Sequence, residues 1–430
     1  MKRSGGLRSD LSAGPPVMRW LVGGQVYDAE NAVFGRADIG IEGDRIVHVG
    51  VAPASSGDDE VLDLDGAWLL PGLIDCHVHL TQPTDAGDPA KASARSDAAV
   101  ALDTADAARR TVLAGITTVR DVGGWNYVEM AVRDAVRSGQ IAGPRMFLAG
   151  KLLSITTETV GYYPGMYEVA DGPDAVRVAA RKQLAHGADL IKVMATGALL
   201  SSESEDAGAI QFTLDELRAA VEIAHDNHKH VAAHCHALRG IENAVEAGAD
   251  SIEHCTFADD AVLELMADRG TALVPTICAG ALLFRDADVV ATMPDHLRQR
   301  MAAFNDVHDA AVRRAHELGV TIAMGTDAGT PGNHHGLNAH ECVFLVEHCG
   351  LSPAESIRTA TLNAARLLRR EGELGVLREG AYADVIALDG NPLDDITELM
   401  RVNTVVAAGR VLKERSCQGL GARTRPQTLT

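Results

Sequence analysis

Apolar and polar positions along the chain follow two regimes. From about residue 71 to residue 380, short apolar runs alternate with amphipathic stretches of helical period. That is the pattern of strands buried on both faces and separated by helices. Five times the same phrase recurs, a helical stretch, a glycine and an apolar strand: at Gly115 (ITTVRD), Gly187 (ADLIKVM), Gly248 (ADSIEH), Gly270 (TALVPT) and Gly319 (VTIAMGTD). A glycine lets the helix end in the left-handed conformation and the strand begin at once. GLIDCHVHL at 72–80, RMFLAG at 145–150 and HVAAHCH at 230–236 bring the predicted strands to eight. Helix starts are written as capping boxes, Thr213 with Glu216 and Ser352 with Glu355, the second with Pro353 at its first helical position. Leu217, Ala220, Val221 and Ala224 mark the buried face of the helix behind the first of these.

The ends of the chain read differently. Residues 19–65 (LVGGQVYD, ADIGIEGDRIVHVG, EVLDLDG) and 381–414 (YADVIALDG, VNTVVAAGRVLKE) carry strand-like alternation broken by turns. The expected fold is therefore α/β, a (β/α)8 TIM barrel over 71–380. A small β-sandwich built from both termini, 18–70 with 381–420, accompanies it, and 1–17 is a disordered extension. An open, doubly wound sheet is the alternative, but no GxGxxG opens a helix after the first strand.

Composition narrows the partners. A formal net charge of −20 leaves no basic surplus to neutralise phosphates, which argues against nucleic acid. Seven cysteines, an odd number without CxxC pairing, argue against a disulfide framework and for a reducing cytoplasm. No apolar run approaches the roughly 18 residues of a membrane span, and the basic N-terminus lacks the apolar stretch of a signal peptide.

The candidate chemistry sits where the predicted strands end. His77 and His79, two apart, share a strand face and can hold one metal ion, though two polar residues at a strand end read the same way. His234 and His236 end the fifth strand, His254 the sixth and Asp327 the eighth, all at the end where barrel active sites gather. The neighbouring Cys76, Cys235 and Cys255 fall on the opposite face and read as packing residues. Lys192 lies inside the apolar strand LIKVMAT, which is costly unless it is salt-bridged to a barrel carboxylate or neutralised, for example as a carbamate. Arg120 and Asp121 read as a structural pair at the barrel mouth. Asn333, His334 and His335 stand in a loop that forms either a lid or a simple connection. Tyr162, Tyr163 and Tyr167 either line a pocket for a bulky substrate or anchor their loop.

PGLIDCHVHL, GITTVRDVGG, ADLIKVMATG, VAAHCHALRGI, DSIEHCTF, IAMGTDAGT and ATLNAARLL…ADVIALDGNPL resemble the amidohydrolase superfamily, most closely its prolidase-like (Xaa-Pro dipeptidase) and ochratoxinase-like branch. The resemblance implies two divalent metal ions, zinc the expected one. His77 and His79 would bind the first, His234 and His254 the second, carbamylated Lys192 would bridge them, and Asp327 would touch the first and shuttle protons. It further implies a small-molecule substrate and a homo-oligomer. In that scheme His236 is free to contact a substrate carboxylate or stabilise an oxyanion, with Tyr163 and His335 as further substrate contacts. The loop TTETVGYYPGMYEVADG lacks the Gly-Gly-His-Gly run associated with many prolidase-like relatives, so dipeptide specificity does not carry over automatically. Hydrolysis of an amide in N-acyl or N-aminoacyl amino acids is the favoured reaction. The alternatives are a carbamate, urea or lactone hydrolase on the same site and a one-metal deaminase or imidazolonepropionase-type enzyme.

Overall fold

The computed structural model describes residues 18–53, 59–82, 94–161, 163, 165–199, 206–285, 287–293 and 295–414. The expected extension 1–17, positions 415–420 of the second flank, and Tyr162 lie outside these residues.

All five glycines at the predicted helix-to-strand joints hold positive φ: +96° at Gly115, +91° at Gly187, +95° at Gly248, +70° at Gly270 and +79° at Gly319. Each delivers the chain into a parallel strand or, at Gly319, into an extended segment. The barrel strands are Leu73–Val78, Ile116–Asp121, Arg145–Leu148, Leu190–Met194, His230–Cys235, Ser251–His254 and Ala272–Val274. The first three pair in parallel, as do the fourth to the seventh. Between the two groups, Asp189 N donates to Leu148 O at 2.7 Å.

The eighth predicted strand departs from expectation. Residues 320–328 form no continuous strand, yet they hydrogen-bond to the seventh strand (Leu273 N to Thr321 O and Ala323 N to Leu273 O, both 2.9 Å) and to the first (Cys76 N to Met324 O and His79 N to Ala328 O, both 2.8 Å). The reason is local. Asp327 has φ +59° and Gly329 φ +111°, conformations that end an extended run. At Gly325 a Cβ would lie 2.2 Å from Val274 Cγ1 and 2.8 Å from His77 Cβ, so glycine alone permits this approach.

Helix Leu214–Asp226 starts at the Thr213–Glu216 capping box and buries Leu217, Ala220, Val221 and Ala224; the Ser352–Glu355 box opens Pro353–Arg358. The two flanks meet in one eight-stranded sheet, where Val385–Leu388 pairs antiparallel with Trp68–Pro71. Beyond that seam lie Thr404–Ala407 and Arg410–Lys413 on one side and Arg19–Asp28, Val33–Glu42 and Arg45–Gly50 on the other. One apolar cluster runs from this sheet (Leu21, Ile39, Leu69, Ile386) into the barrel base (Leu73, Val119), so the sheet is welded to the barrel rather than tethered. Among the described residues no helix is long and apolar enough to cross a membrane, and six cysteines are buried and free.

Candidate metal centre

Four side chains leave the strand ends through left-handed turns: His254 (φ +68°), Cys255 (+62°), Thr276 (+61°) and Asp327 (+59°). Non-glycine residues adopt such angles at a cost of about 1–3 kcal/mol each, which the surrounding structure must enforce. Part of that enforcement is visible. Asp75 accepts from His77 N (3.0 Å), Thr326 N (3.1 Å), Thr326 Oγ1 (2.6 Å) and Asn338 Nδ2 (2.7 Å), clamping the first strand to the segment that carries Asp327.

The buried polar side chains gather into two groups, His77 with His79 and Asp327, and His234 with His236 and His254; within each, one ligand atom per residue lies within 4.8 Å of the others. The groups adjoin, since the His77 and His254 rings are 5.0 Å apart between centroids. Lys192 opens into the same cleft, 1% exposed, its Nζ without a hydrogen-bond partner among the described residues. Burial pushes the Lys192 ammonium down to about 8, against the pull of Glu253.

The hydrogen bonds fix which nitrogens face the cleft. His79 Nδ1 lies 3.0 Å from Gly123 O, a pure acceptor, so that nitrogen carries the hydrogen and Nε2 presents its lone pair. His77 Nδ1 likewise donates to Glu253 Oε2 at 2.7 Å. Both Nε2 atoms then confront Asp327 Oδ1, at 3.4 Å from His77 and 3.3 Å from His79. Two lone pairs facing a carboxylate oxygen demand a proton or a cation among them. Asp327 itself is held far below the usual carboxylate range, because the two imidazoles outweigh burial. In the second group, Gly197 O takes His234 Nε2 at 3.1 Å and leaves Nδ1 for the cleft, while Thr276 Oγ1 engages His254 Nδ1 at 2.7 Å and Thr256 Oγ1 engages His236 Nδ1 at 2.9 Å. Burial first, and neighbouring positive charge second, lowers all three imidazoles, His234 to about 3, so they stay neutral and able to ligate. The donor set and its orphaned polar atoms fit two divalent cations.

Below the imidazoles runs an ion pair that sequence reasoning missed. Arg120 Nη2 donates to Glu253 Oε1 and Oε2 at 2.8 and 2.9 Å with both side chains fully buried, and Arg120 also reaches Ser251 Oγ and Cys76 O. Burial would raise Glu253, but Arg120 and His77 prevail and keep it ionised. The expected Arg120–Asp121 pair does not form. Strand alternation turns Arg120 into the barrel and Asp121 outward, where Asp121 accepts from Leu80 N and Gly123 N. The one signal in the sequence was Ser251 and Glu253 at alternate positions of a buried strand, on the face opposite Ile252. Cys76, Cys235 and Cys255 are buried packing residues whose thiols burial pushes up, to about 12 at Cys76.

The cleft above the imidazoles holds about 970 Å³ of space including its open mouth. Tyr163, Met166, Tyr167 and Met194 form one wall, Met301 and Phe304 another, with His236 and Thr330 on the rim of the metal groups. Of the loop after Asp327, His335 does not line the cleft: it is buried with Nε2 3.3 Å from His79 O. Asn333 binds Thr326 O at 2.7 Å and so supports the Asp327 turn.

Residues 68–412 match the model of the amidohydrolase family. The chain belongs to the amidohydrolase family. This amidohydrolase is 35% identical over 372 residues to ochratoxinase of Aspergillus niger, covering 80% of the chain and 75% of that protein. The crystal structure of that ochratoxinase superposes with a TM-score of 0.81 at 30% identity, covering 94% of this chain and 97% of the other. A Xaa-Pro dipeptidase with methionine bound in its active site superposes with a TM-score of 0.84 at 36% identity, covering 92% of this chain and all of that one. A TIM barrel accompanied by a β-rich unit is thus the fold, and the protein is a hydrolase acting on carbon–nitrogen bonds.

Proposed function

We propose that this amidohydrolase is a binuclear enzyme that cleaves the amide bond of N-acyl or N-aminoacyl amino acids. His77, His79 and Asp327 hold one divalent ion, His234 and His254 the other, and Lys192, carbamylated on Nζ, bridges them; zinc is the expected metal. The observation that carries this reading is Lys192: a buried amine with no hydrogen-bond partner among the described residues, in the wall shared by two groups of ligands. An ammonium there is uncompensated. A pKa drawn down to about 8 supplies the neutral amine, whose lone pair attacks the carbon of carbon dioxide and which then loses a proton to leave the carbamate anion. The product carries the negative charge that the second histidine group lacks.

Ions so placed lower the pKa of water towards neutrality and polarise the scissile carbonyl. The rest belongs to the chain. Asp327 Oδ1, poised over both first-strand imidazoles, takes a proton from the attacking water and returns it to the departing nitrogen. Glu253 and Gly123 O hold the His77 and His79 rings in the tautomer that ligates. His236, one pleat beyond His234, meets the substrate carboxylate or the developing oxyanion, and Tyr163 packs on the acyl side. Methionine bound in the active site of the Xaa-Pro dipeptidase supports an amino-acid-like leaving group. A second reading makes His236 a third ligand of the second ion, favoured by its place in the same 4.8 Å group.

Metal content per chain, measured beside hydrolysis of N-acyl amino acids, dipeptides, a carbamate and a lactone, tests the proposal. Two metals per chain with amide cleavage is the expected result. One metal per chain, or ammonia released from a cyclic base, would overturn it. Metal content of His236→Ala separates the two roles of that residue.

A further inference from the structure

At the opposite end of the barrel, beneath the first residues of the second and third strands, a separate cleft of about 1170 Å³ opens against the β-rich sheet. Arg133, Arg137, Arg145, Arg370 and Arg410 line it, against Asp44, Asp189 and Asp384. This cationic surplus stands in a chain whose formal net charge is −20. The aspartates engage some of the arginines: Arg133 lies 3.5 Å from Asp189 and Arg145 3.5 Å from Asp384. Arg370 leans on Glu373 at 3.6 Å. Arg137 and Arg410 are exposed and make no ion pair or side-chain hydrogen bond among the described residues. The Arg410 guanidinium lies over Gly139, where a Cβ would come within 2.6 Å of Nη1. That places it beside the end of the helix Val128–Arg137, which Arg137 closes.

Arg145 Nε, in the cleft wall, is buried with no hydrogen-bond partner among the described residues. Arg145 is held in place by stacking on Tyr382, whose other face carries Arg45, at 3.6 and 3.5 Å from the ring centre. A stacked guanidinium flanked by two unpaired ones is complementary to a compact oxyanion offering several acceptor oxygens.

We propose that this cleft binds phosphate, free or as the phosphoryl group of a small molecule, with Arg137, Arg145 and Arg410 as its main contacts. It lies at the barrel end remote from the metal ligands, so it is a binding site and not part of the hydrolytic machinery. Calorimetric titration of the metal-loaded enzyme with inorganic phosphate, pyrophosphate and adenosine triphosphate, at matched ionic strength, tests this. Saturable binding is expected. Arg137→Glu with Arg410→Glu, two exposed changes, should weaken it about tenfold or more while hydrolysis is unchanged. If phosphate binds as tightly as adenosine triphosphate the ligand is the free anion; tighter binding of the nucleotide names an ester. Binding unchanged in the double variant would place the anion at the metal centre and overturn the proposal, as would no binding at all.

Discussion

The two histidine groups at the barrel mouth are built from the same residue type on opposite electrical principles. The His77–His79 group is flanked by carboxylates: Asp327 in front, Glu253 behind, with Arg120 beneath to keep Glu253 ionised. In the His234–His236–His254 group, hydroxyls and a peptide carbonyl orient the rings, and among the described residues no carboxylate hydrogen-bonds to them. Burial accordingly drives the imidazoles of the second group towards neutrality, whereas at His79 the attraction of Asp327 overcomes burial and favours the cation. The lesson is that the first group is an anionic cage that selects a cation by itself, while the second is a neutral funnel that depends on an anion brought from elsewhere. On the proposed reading, carbamylated Lys192 brings it.

The sharpest way to break this comparison is Lys192→Ala. Metal content should fall from two to one, with the first group still occupied, and turnover should drop by several orders of magnitude. Two metals and full activity in that variant would refute the bridge. Asp327→Asn keeps the shape and removes the proton acceptor; kcat should fall about 10²–10⁴-fold in a steady-state assay, with metal retained. Glu253→Gln strikes the first group from behind. Affinity for its metal, read by competition with a chelator, should weaken about 10–100-fold. Unfolding should also become easier, because Arg120 is left buried and unpaired. Thr276→Val frees the His254 ring without altering the backbone preference, and about a tenfold weakening confined to the second metal is expected. The smallest effect concerns His230, at the other end of the strand that carries His234. Its imidazole is buried with Nε2 unpartnered, and burial, helped by Arg120, lowers it to about 3. Above pH 6.5 it is neutral in both folded and unfolded chains. Below that the unfolded chain takes up a proton that the fold refuses, so stability declines with falling pH down to about 3, by up to roughly 1.4 kcal/mol per unit. Denaturant midpoints of His230→Leu should fall less steeply from pH 7 to pH 4 than those of the parent; equal slopes would remove His230 from the account.

Much of this was legible in sequence for reasons that are local. The five glycines, both capping boxes and the strand-end histidines depend on residues within a turn of one another, so their spacing declares them. The Arg120–Glu253–His77 chain was not legible, because it joins three strands across the barrel axis, and a sequence does not say which inward positions meet. Arg120 was paired with its neighbour Asp121 for want of that information, although alternation along the strand forbids it. The eighth strand was legible as an apolar run in its place between the seventh and the first, but Gly325 and the turned Asp327 reduce its regular ladder to isolated bridges. The threonines that orient the second histidine group follow other strands and gave no signal of their own.

The seam between Trp68–Pro71 and Val385–Leu388 has a consequence for the making of the protein. Translation runs in one direction, and more than 300 residues separate the two edges that must meet. At about 5–20 residues per second, the amino-terminal strands wait on the order of tens of seconds on the ribosome with an open hydrogen-bonding edge. The barrel is synthesised during that interval, so the nascent chain must guard a sticky border while its catalytic half takes shape. The strand Val385–Leu388, made after the barrel, acts as the latch.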